Sequence, residues 1–510
     1  MIRPSLEEAK RISTGYAVVP IALEILSDQK TPIEVLKNIR NQSDNWVILE
    51  SVNGSDSWGR YTFLGYKPVM NVFGTGDSIT MTGALHPMGQ EIEGSSPSAS
   101  RPPHSGEGWG RETGDANAIT LIREIISQYK SPRVPGLPPF TGGFVGYFAY
   151  DFVKHFMTGL KLDATNEEGF RDFHLMLMDK VIAFDNFKQK IFIIVNIPTD
   201  NLENNYIKGV TDLKDIERMI LTSVSFSEEE SSHCGEFQSA YTEDEFIRMV
   251  EKVKRHIVEG DIFQAVISNR FKAAFRGSLI NTYRYLRTIN PSPYMVYMRL
   301  DDMEIACSSP ETLITLRDSG ISSYPLAGTC PRGKTEEEDA ALTQSLLQDE
   351  KELAEHDMLV DLARNDVGKV SQFGSVEVSD YRQIKRFSHV SHISSHVTGR
   401  LREDMDALDV IAAAFPAGTL SGAPKRRACQ IIDENEGIKR GVYGGAIGYI
   451  DFTGNMDMCI GIRMAVLKDG NVYVQAGAGI VADSVPEKEY YETRNKAGAV
   501  IEALKNCGEV

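Results

Sequence analysis

Cysteine is scarce in this 510-residue chain, and its six copies follow no pattern. Cys234, Cys307, Cys330, Cys429, Cys459 and Cys507 contain no CxxC pair, and none stands near a histidine at zinc-binding spacing. That argues against a disulfide framework and a thiolate zinc site, and reduced thiols in a cytoplasmic protein are expected. Long apolar runs are missing too. No stretch approaches the about 18 residues of a membrane span. The N-terminal MIRPSLEEAKRIS lacks an apolar signal core and holds too many acids for a transit peptide. Positive charge is in deficit: 54 Lys and Arg stand against 71 Asp and Glu, a formal net charge of −17. A nucleic-acid or anionic-membrane partner is therefore not expected. An anionic small molecule remains compatible wherever a few basic side chains converge.

What the chain has in quantity is alternation. NWVILESV (45–52), HLMLMDKVIAFD (174–185), KIFIIVNI (190–197), YMVYMRL (294–300), GGAIGYIDF (444–452) and NVYVQAGAGIVA (471–482) predict strands. Helical patterns fall at 244–259, 339–363 and 486–505. Strands follow one another without regular βα alternation, which predicts α+β with antiparallel sheets. Residues 86–116 are rich in Ser, Gly and Pro and read as a surface excursion. The polar stretch 225–239 reads as a link between an N-terminal region, 1–225, and a second region, 240–505.

Two helical segments carry paired carboxylates. In DEKELAEHDMLVDLARNDVG (349–368), Glu352 and Glu355 are three apart and share a face. In DSVPEKEYYETRNKAG (483–498), Ser484 and Glu487 form a capping box with Pro486 in the first turn. That puts Glu489, Glu492 and Lys496 on one face. The bland reading is two solvated charged faces. If both pairs met one cavity, their repulsion would need a divalent cation, and an all-oxygen donor set favours Mg²⁺ over zinc. QAGAGIVA lacks the GxGxxG spacing of a dinucleotide loop, and PAGTLSGAPKRRA (416–428) lacks the frame of a phosphate loop. His389, His392 and His396 have spacing that a helical metal site could use, but their β-branched and serine neighbours suit a strand better.

In this order, GDIFQAVISNRF (260–271), NPSPYM (290–295), SSPETL (308–313), PLAGTCPRG (325–333), DEKELAEHDMLVDLARND (349–366), PAGTLSGAPK (416–425), RGVYGGAIGYIDF (440–452), IGIRMA (460–465) and AGAGIVADSVPEKEYYETRNKA (476–497) resemble the chorismate-utilising enzymes. The branch most resembled is that of anthranilate synthase component I. The likeness extends more weakly to LESVNGSDSWGRYTFLG (49–65) and FTGGFVGYFAYD (140–151). It implies an α+β sandwich of two antiparallel sheets flanked by helices, with an active-site cleft between helices and sheet ends.

The resemblance also implies residue roles. Glu355 and Glu492 match Mg²⁺ ligands, and Glu352 and Glu489 the carboxylates that hold metal-bound waters. Glu311 matches a general acid, and His392 the histidine associated with loss of pyruvate. Gly328, Thr329, Tyr443, Arg463 and Lys496 match chorismate contacts. Thr419 and the backbone of Gly477, Ala478 and Gly479 complete that pocket. Ala327 stands where aminodeoxychorismate synthases carry a nucleophilic lysine, and Gln264 where isochorismate and salicylate synthases carry a lysine that activates water. Both point to attack by ammonia, hence to anthranilate and pyruvate.

Ser51, Pro293, Tyr294, Met295 and Tyr449 match a site for feedback inhibition by tryptophan. No stretch resembles a glutamine amidotransferase, so a separate subunit is expected to supply ammonia, in a heterotetramer. Cys330, Asp357 and His396 depart from the usual pattern. Aminodeoxychorismate synthase and a non-catalytic tryptophan-binding protein are the competing readings; the first is opposed by Ala327, the second by the retained carboxylates.

Overall fold

The computed structural model describes residues 2–51, 59–83, 111–113, 117–222, 232–386 and 390–509. Its alternating strands pair into two large sheets, one of fourteen strands and one of twelve, with every strand pairing antiparallel. The expected α+β sandwich is the fold found. Between the sheets lies an apolar layer that includes Val47, Phe63, Tyr147, Met176, Ile194, Met298, Ile305, Ile447 and Met464. A second layer packs helices Ala118–Ser127, Glu350–Val370 and Ala407–Ala414 on the outer face of one sheet. A third packs Pro32–Arg40, Leu202–Leu221, Ile280–Ile289 and Pro486–Lys505 on the other. Strands such as Tyr294–Leu300 are covered on both faces, and so read as nearly unbroken apolar runs. No described helix is long and apolar enough to cross a membrane.

The regions 1–225 and 240–505 each supply one side of both sheets. They join where Trp46–Glu50 pairs with Tyr294–Leu300, and where Gly143–Phe148 pairs with Ala446–Asp451. The chain also changes sheet abruptly. The expected strand 174–185 is two strands: Phe173–Met178 lies in one sheet and Lys180–Asp185 in the other, with Asp179 as the link. Pro310 and Glu311 make a similar crossover between Met303–Ser309 and Thr312–Arg317. Residues 461–463 make another between Met456–Ile460 and Met464–Lys468.

Other expectations are corrected by local chemistry. The helix expected at 339–363 is two helices, Glu336–Leu346 and Glu350–Val370. Asp349 makes the break, because its carboxylate accepts from the Lys351 and Glu352 amides and so starts a new helix. The capping box of Ser484 and Glu487 does not form. The helix begins at Pro486 after Val485, and the Ser484 hydroxyl instead accepts from the Val481 amide at 3.1 Å. In the stretch read as a link, His233–Cys234 and Gln238–Ser239 add to the strand Gln264–Arg276. Within the expected excursion, Arg111–Thr113 pairs with Ser78–Gly83; residues 84–110, 114–116 and His389 lie outside the described residues.

A buried ion pair fixes the floor of the cleft. Glu436 ends the helix Lys425–Glu436, and Arg440 follows four residues later; both side chains are about 1% exposed. Arg440 donates to both Glu436 oxygens, and to the carbonyls of Leu420 and Val266 at 2.6 Å each. Glu436 also accepts from the Ser268 amide at 2.7 Å and its hydroxyl at 2.9 Å. Glu436→Ala is expected to cost about 3–5 kcal/mol, because it strands a buried guanidinium without its counter-charge. Urea unfolding followed by tyrosine and tryptophan fluorescence checks this as a lowered midpoint.

Candidate active site

A cavity of about 610 Å³ opens between the helices Glu350–Val370 and Pro486–Lys505 and the ends of both sheets. Glu311 reaches it from the Pro310–Glu311 crossover and Arg463 from the 461–463 crossover. The two crossovers lie side by side: the Ile460 amide donates to the Glu311 carbonyl, and the Ser308 amide to that of Arg463, both at 3.0 Å. Arg463 holds a left-handed backbone, φ +52°, a strained choice for a residue with a Cβ. That conformation helps turn the chain from one sheet to the other.

The Thr419 hydroxyl donates to Glu311 Oε1 at 2.8 Å. Burial pushes the Glu311 carboxyl up to about 7, while the Thr419 bond and the Lys496 charge pull the other way. Burial lowers the Arg463 guanidinium from its ordinary value. Lys496 Nζ sits 2.6 Å from Glu492 Oε1 and donates to the Gly477 carbonyl at 3.1 Å; Arg463 in turn donates to the Lys496 carbonyl. Two cationic groups thus converge on one wall, as the sequence required of an anion site in an acidic protein.

PLAGTCPRG forms the strand Leu326–Pro331, and Gly328 is the extra residue of a bulge. Ala327 pairs with Ile393 and Thr329 with His392, which leaves Gly328 between them at φ +71°. A Cβ there would stand 3.0 Å from Ile393 and 3.3 Å from Glu352 Oε2. His392 Nδ1 lies 3.1 Å from the Gly328 carbonyl and 3.0 Å from Thr329 Oγ1. A carbonyl can only accept, so Nδ1 carries the proton and the neutral ring keeps its lone pair on Nε2. Burial, ahead of any other cause, lowers the His392 pKa, while the bond to the Gly328 carbonyl acts the other way.

The helix pair brings Glu352, Glu355, Glu489 and Glu492 to the same cavity. Burial, then the charges of Glu352 and Glu492, raise the Glu355 carboxyl; burial and then Glu492 raise that of Glu489. Gly477, Gly479 and Tyr443 also line the cavity. Ala478 does not: strand alternation turns it the opposite way, into an apolar cluster with Phe246, Ile267 and Tyr490. Gln475, which the sequence reading missed, shares the Gly477 and Gly479 face and was recoverable from that alternation. Lys351 was also missed, and nothing in its spacing marks it. Lys425, which made 416–428 look like a phosphate loop, is buried against Asp366 Oδ2 at 2.6 Å.

The five residues matched to tryptophan binding line a second, smaller pocket, at the seam where the two regions meet. Ser51 Oγ is buried there with no hydrogen-bond partner among the described residues. Asp457 and Arg317 also line it, brought in by sheet packing rather than by any sequence signal. Of the three departures, Cys330 packs against Leu346 and Ile393, Asp357 pairs with Arg382 and accepts from the Tyr381 hydroxyl at 2.6 Å, and His396 stacks on Tyr324 with ring centroids 4.4 Å apart. None of them lines the cavity.

The family model of the chorismate binding enzymes matches residues 89–502. The chain belongs to that family. Anthranilate synthase component 1 of Acetivibrio thermocellus is 42% identical over the whole of both chains, and that of Aquifex aeolicus is 43% identical over 99% of this chain and 98% of its own. Among solved structures, anthranilate synthase component I of Streptococcus pneumoniae superposes with a TM-score of 0.71 at 34% identity, covering 93% of this chain and 99% of its own. The menaquinone-specific isochorismate synthase of Escherichia coli shares the fold at a TM-score of 0.68 and 18% identity, with 98% of each chain covered.

Within this member of the family, Glu311 is expected to titrate near pH 7, and Thr419→Val to move that titration upward by removing the bond that favours the anion. Infrared difference spectra of the carboxyl C=O band across pH 5–9 (about two units either side) check both.

Proposed function

We propose that this chain is the catalytic component of anthranilate synthase, converting chorismate and ammonia to anthranilate and pyruvate in the first committed step of tryptophan biosynthesis. The observation that carries the reading is Glu311: a buried carboxyl bonded to Thr419 and pushed up to about 7 by burial, in a cavity that Arg463, Lys496 and two carboxylate pairs also line. Arg463 and Lys496 bind substrate carboxylate, the guanidinium in two-pronged fashion. Ammonia attacks the ring carbon next to the carboxylate-bearing one, and the hydroxyl at the far end of the conjugated system leaves as water with the Glu311 proton. Thr419 holds Glu311 in position. The lone pair on His392 Nε2 then takes the ring proton as pyruvate departs and the ring aromatises, which makes the reaction a carbon–oxygen lyase reaction. Ala327 offers no nucleophile for a covalent intermediate, and Gln264 is a poor base for water.

The four carboxylates fit a hard divalent cation. Their donors are all oxygen, and burial, with the neighbouring glutamate charges adding to it, raises the Glu355 and Glu489 carboxyls. Glu355 and Glu492 would hold Mg²⁺ directly, with Glu352 and Glu489 on its waters. When bound, the ion would neutralise the ring carboxylate and draw electron density from the ring.

Ammonia would come from a glutamine amidotransferase subunit, in a cytoplasmic heterotetramer. The seam pocket, with its aromatic walls and a Ser51 hydroxyl that has no hydrogen-bond partner among the described residues, would take tryptophan as feedback inhibitor.

The test is the purified chain with chorismate, ammonium and Mg²⁺, followed by anthranilate fluorescence. Fluorescence should appear, vanish with EDTA and fall on adding tryptophan. Glu311→Gln should lower kcat by about 10²–10⁴ while KM changes little, as expected for loss of a general acid. Consumption of chorismate without fluorescence would overturn the assignment in favour of a hydroxylated or aminodeoxy product.

A further inference from the structure

The seam pocket and the active site meet on one short stretch of chain. Pro310 and Glu311 link a strand of one sheet to a strand of the other, and Tyr294 holds both flanks of that link. Its backbone pairs with Ser309, and its hydroxyl lies 3.0 Å from Thr312 Oγ1. The same hydroxyl donates to Asp457 Oδ1 at 3.1 Å, which leaves it to accept the Thr312 O–H. Asp457 lies on the strand Met456–Ile460, whose final amide donates to the Glu311 carbonyl. The contacts close a ring through Tyr294, Thr312, Glu311, Ile460 and Asp457.

Only part of this ring faces the seam pocket. Tyr294 and Asp457 line it, Glu311 lines the active site, and Thr312 lines neither. Thr312 instead borders a third, small cavity of about 50 Å³ behind the crossover, which Glu311 and Thr419 share with it. The strand register also slips between Thr312 and Ile314, so the ladder is weakest where it leaves Glu311. The crossover therefore has both slack and space for a second position.

We infer that Thr312 couples the two sites: a ligand in the seam pocket displaces the Tyr294 hydroxyl, and Thr312 passes that displacement to Glu311, drawing its carboxyl away from Thr419. The inference rests on the reading that tryptophan occupies the seam pocket, and it assigns that site a route to the general acid. A ligand shifts such an equilibrium only through its different affinity for the two positions. Here the difference lies in the bond from Thr312 to Tyr294, so removing the bond should separate binding from inhibition.

The test uses the full chain as Thr312→Val and Thr312→Ser. Tryptophan binding is measured by calorimetry, and inhibition by ammonia-dependent anthranilate formation. Thr312→Val should bind tryptophan within about threefold of the native chain, yet need about tenfold more for half-inhibition, within the usual range of coupling between sites. Thr312→Ser, which keeps the hydroxyl, should be inhibited like the native chain; if the valine variant does not fold, Thr312→Ala takes its place. Native-like inhibition of the valine or alanine variant would overturn the inference, as would loss of tryptophan binding together with inhibition. A native chain that binds no tryptophan would fail at the earlier step: it overturns the occupancy reading, and the coupling with it.

Discussion

The ion pair between Arg440 and Glu436 is the contact on which the site depends. One guanidinium, with almost no exposure, joins the end of a helix to the carbonyls of Val266 and Leu420. It also lies over the rings of Tyr150 and Tyr443. Val266, Leu420 and Tyr443 all face the active-site cavity. A charge pair in such a place adds little net stability compared with apolar packing, yet it cannot lose one partner. What it provides is placement, because the four bonds that Arg440 donates and the two that Glu436 accepts from Ser268 must be met together. Through Leu420 it also positions the neighbouring Thr419, and through Thr419 the Glu311 carboxyl.

Several groups that line the cavity sit at corners of the fold. Glu311 and Arg463 stand on adjacent crossovers where the chain passes from one sheet to the other, and Gly328 is a bulge at a sheet edge. Backbone at such places is not committed to a regular ladder, so it can aim a side chain into the cleft. The helices do the complementary work. Each presents two carboxylates one turn apart on a rigid face, which is what a site for a small hard cation needs. The acidic surface of the chain is no obstacle to an anionic substrate, because the positive groups that matter are few and lie together.

Much of this was legible in the sequence, for reasons that differ by element. Tyr294–Leu300 and Pro486–Lys505 have the bounds that periodicity and proline placement predicted. Glu352 with Glu355, and Glu489 with Glu492, were readable as pairs because a helix makes neighbours of residues three apart. That the two pairs share one cavity was not readable from spacing, since it depends on how two helices pack against sheet ends. The sheet change at Asp179 was hidden because strands on both sides of it are equally apolar. Asp349 is one more acid within a helical pattern, and its role as a cap shows only in its bonds to the Lys351 and Glu352 amides. Ser484 has the spacing of a capping box, but its hydroxyl accepts from the Val481 amide behind it and does not cap the helix. Asp457 and Arg317 carried no local signal, for they reach the seam pocket only through the pairing of distant strands.

In the proposed reaction Glu311 delivers the proton to the leaving hydroxyl of chorismate. A crystal structure of the Glu311→Gln variant with chorismate and Mg²⁺ tests it most directly. The account predicts the Gln side chain within hydrogen-bond reach of that hydroxyl, at about 2.6–3.2 Å, with the ring carboxylate toward the glutamate pairs. A substrate bound in reverse, its hydroxyl toward Gln264 and beyond reach of position 311, would contradict it.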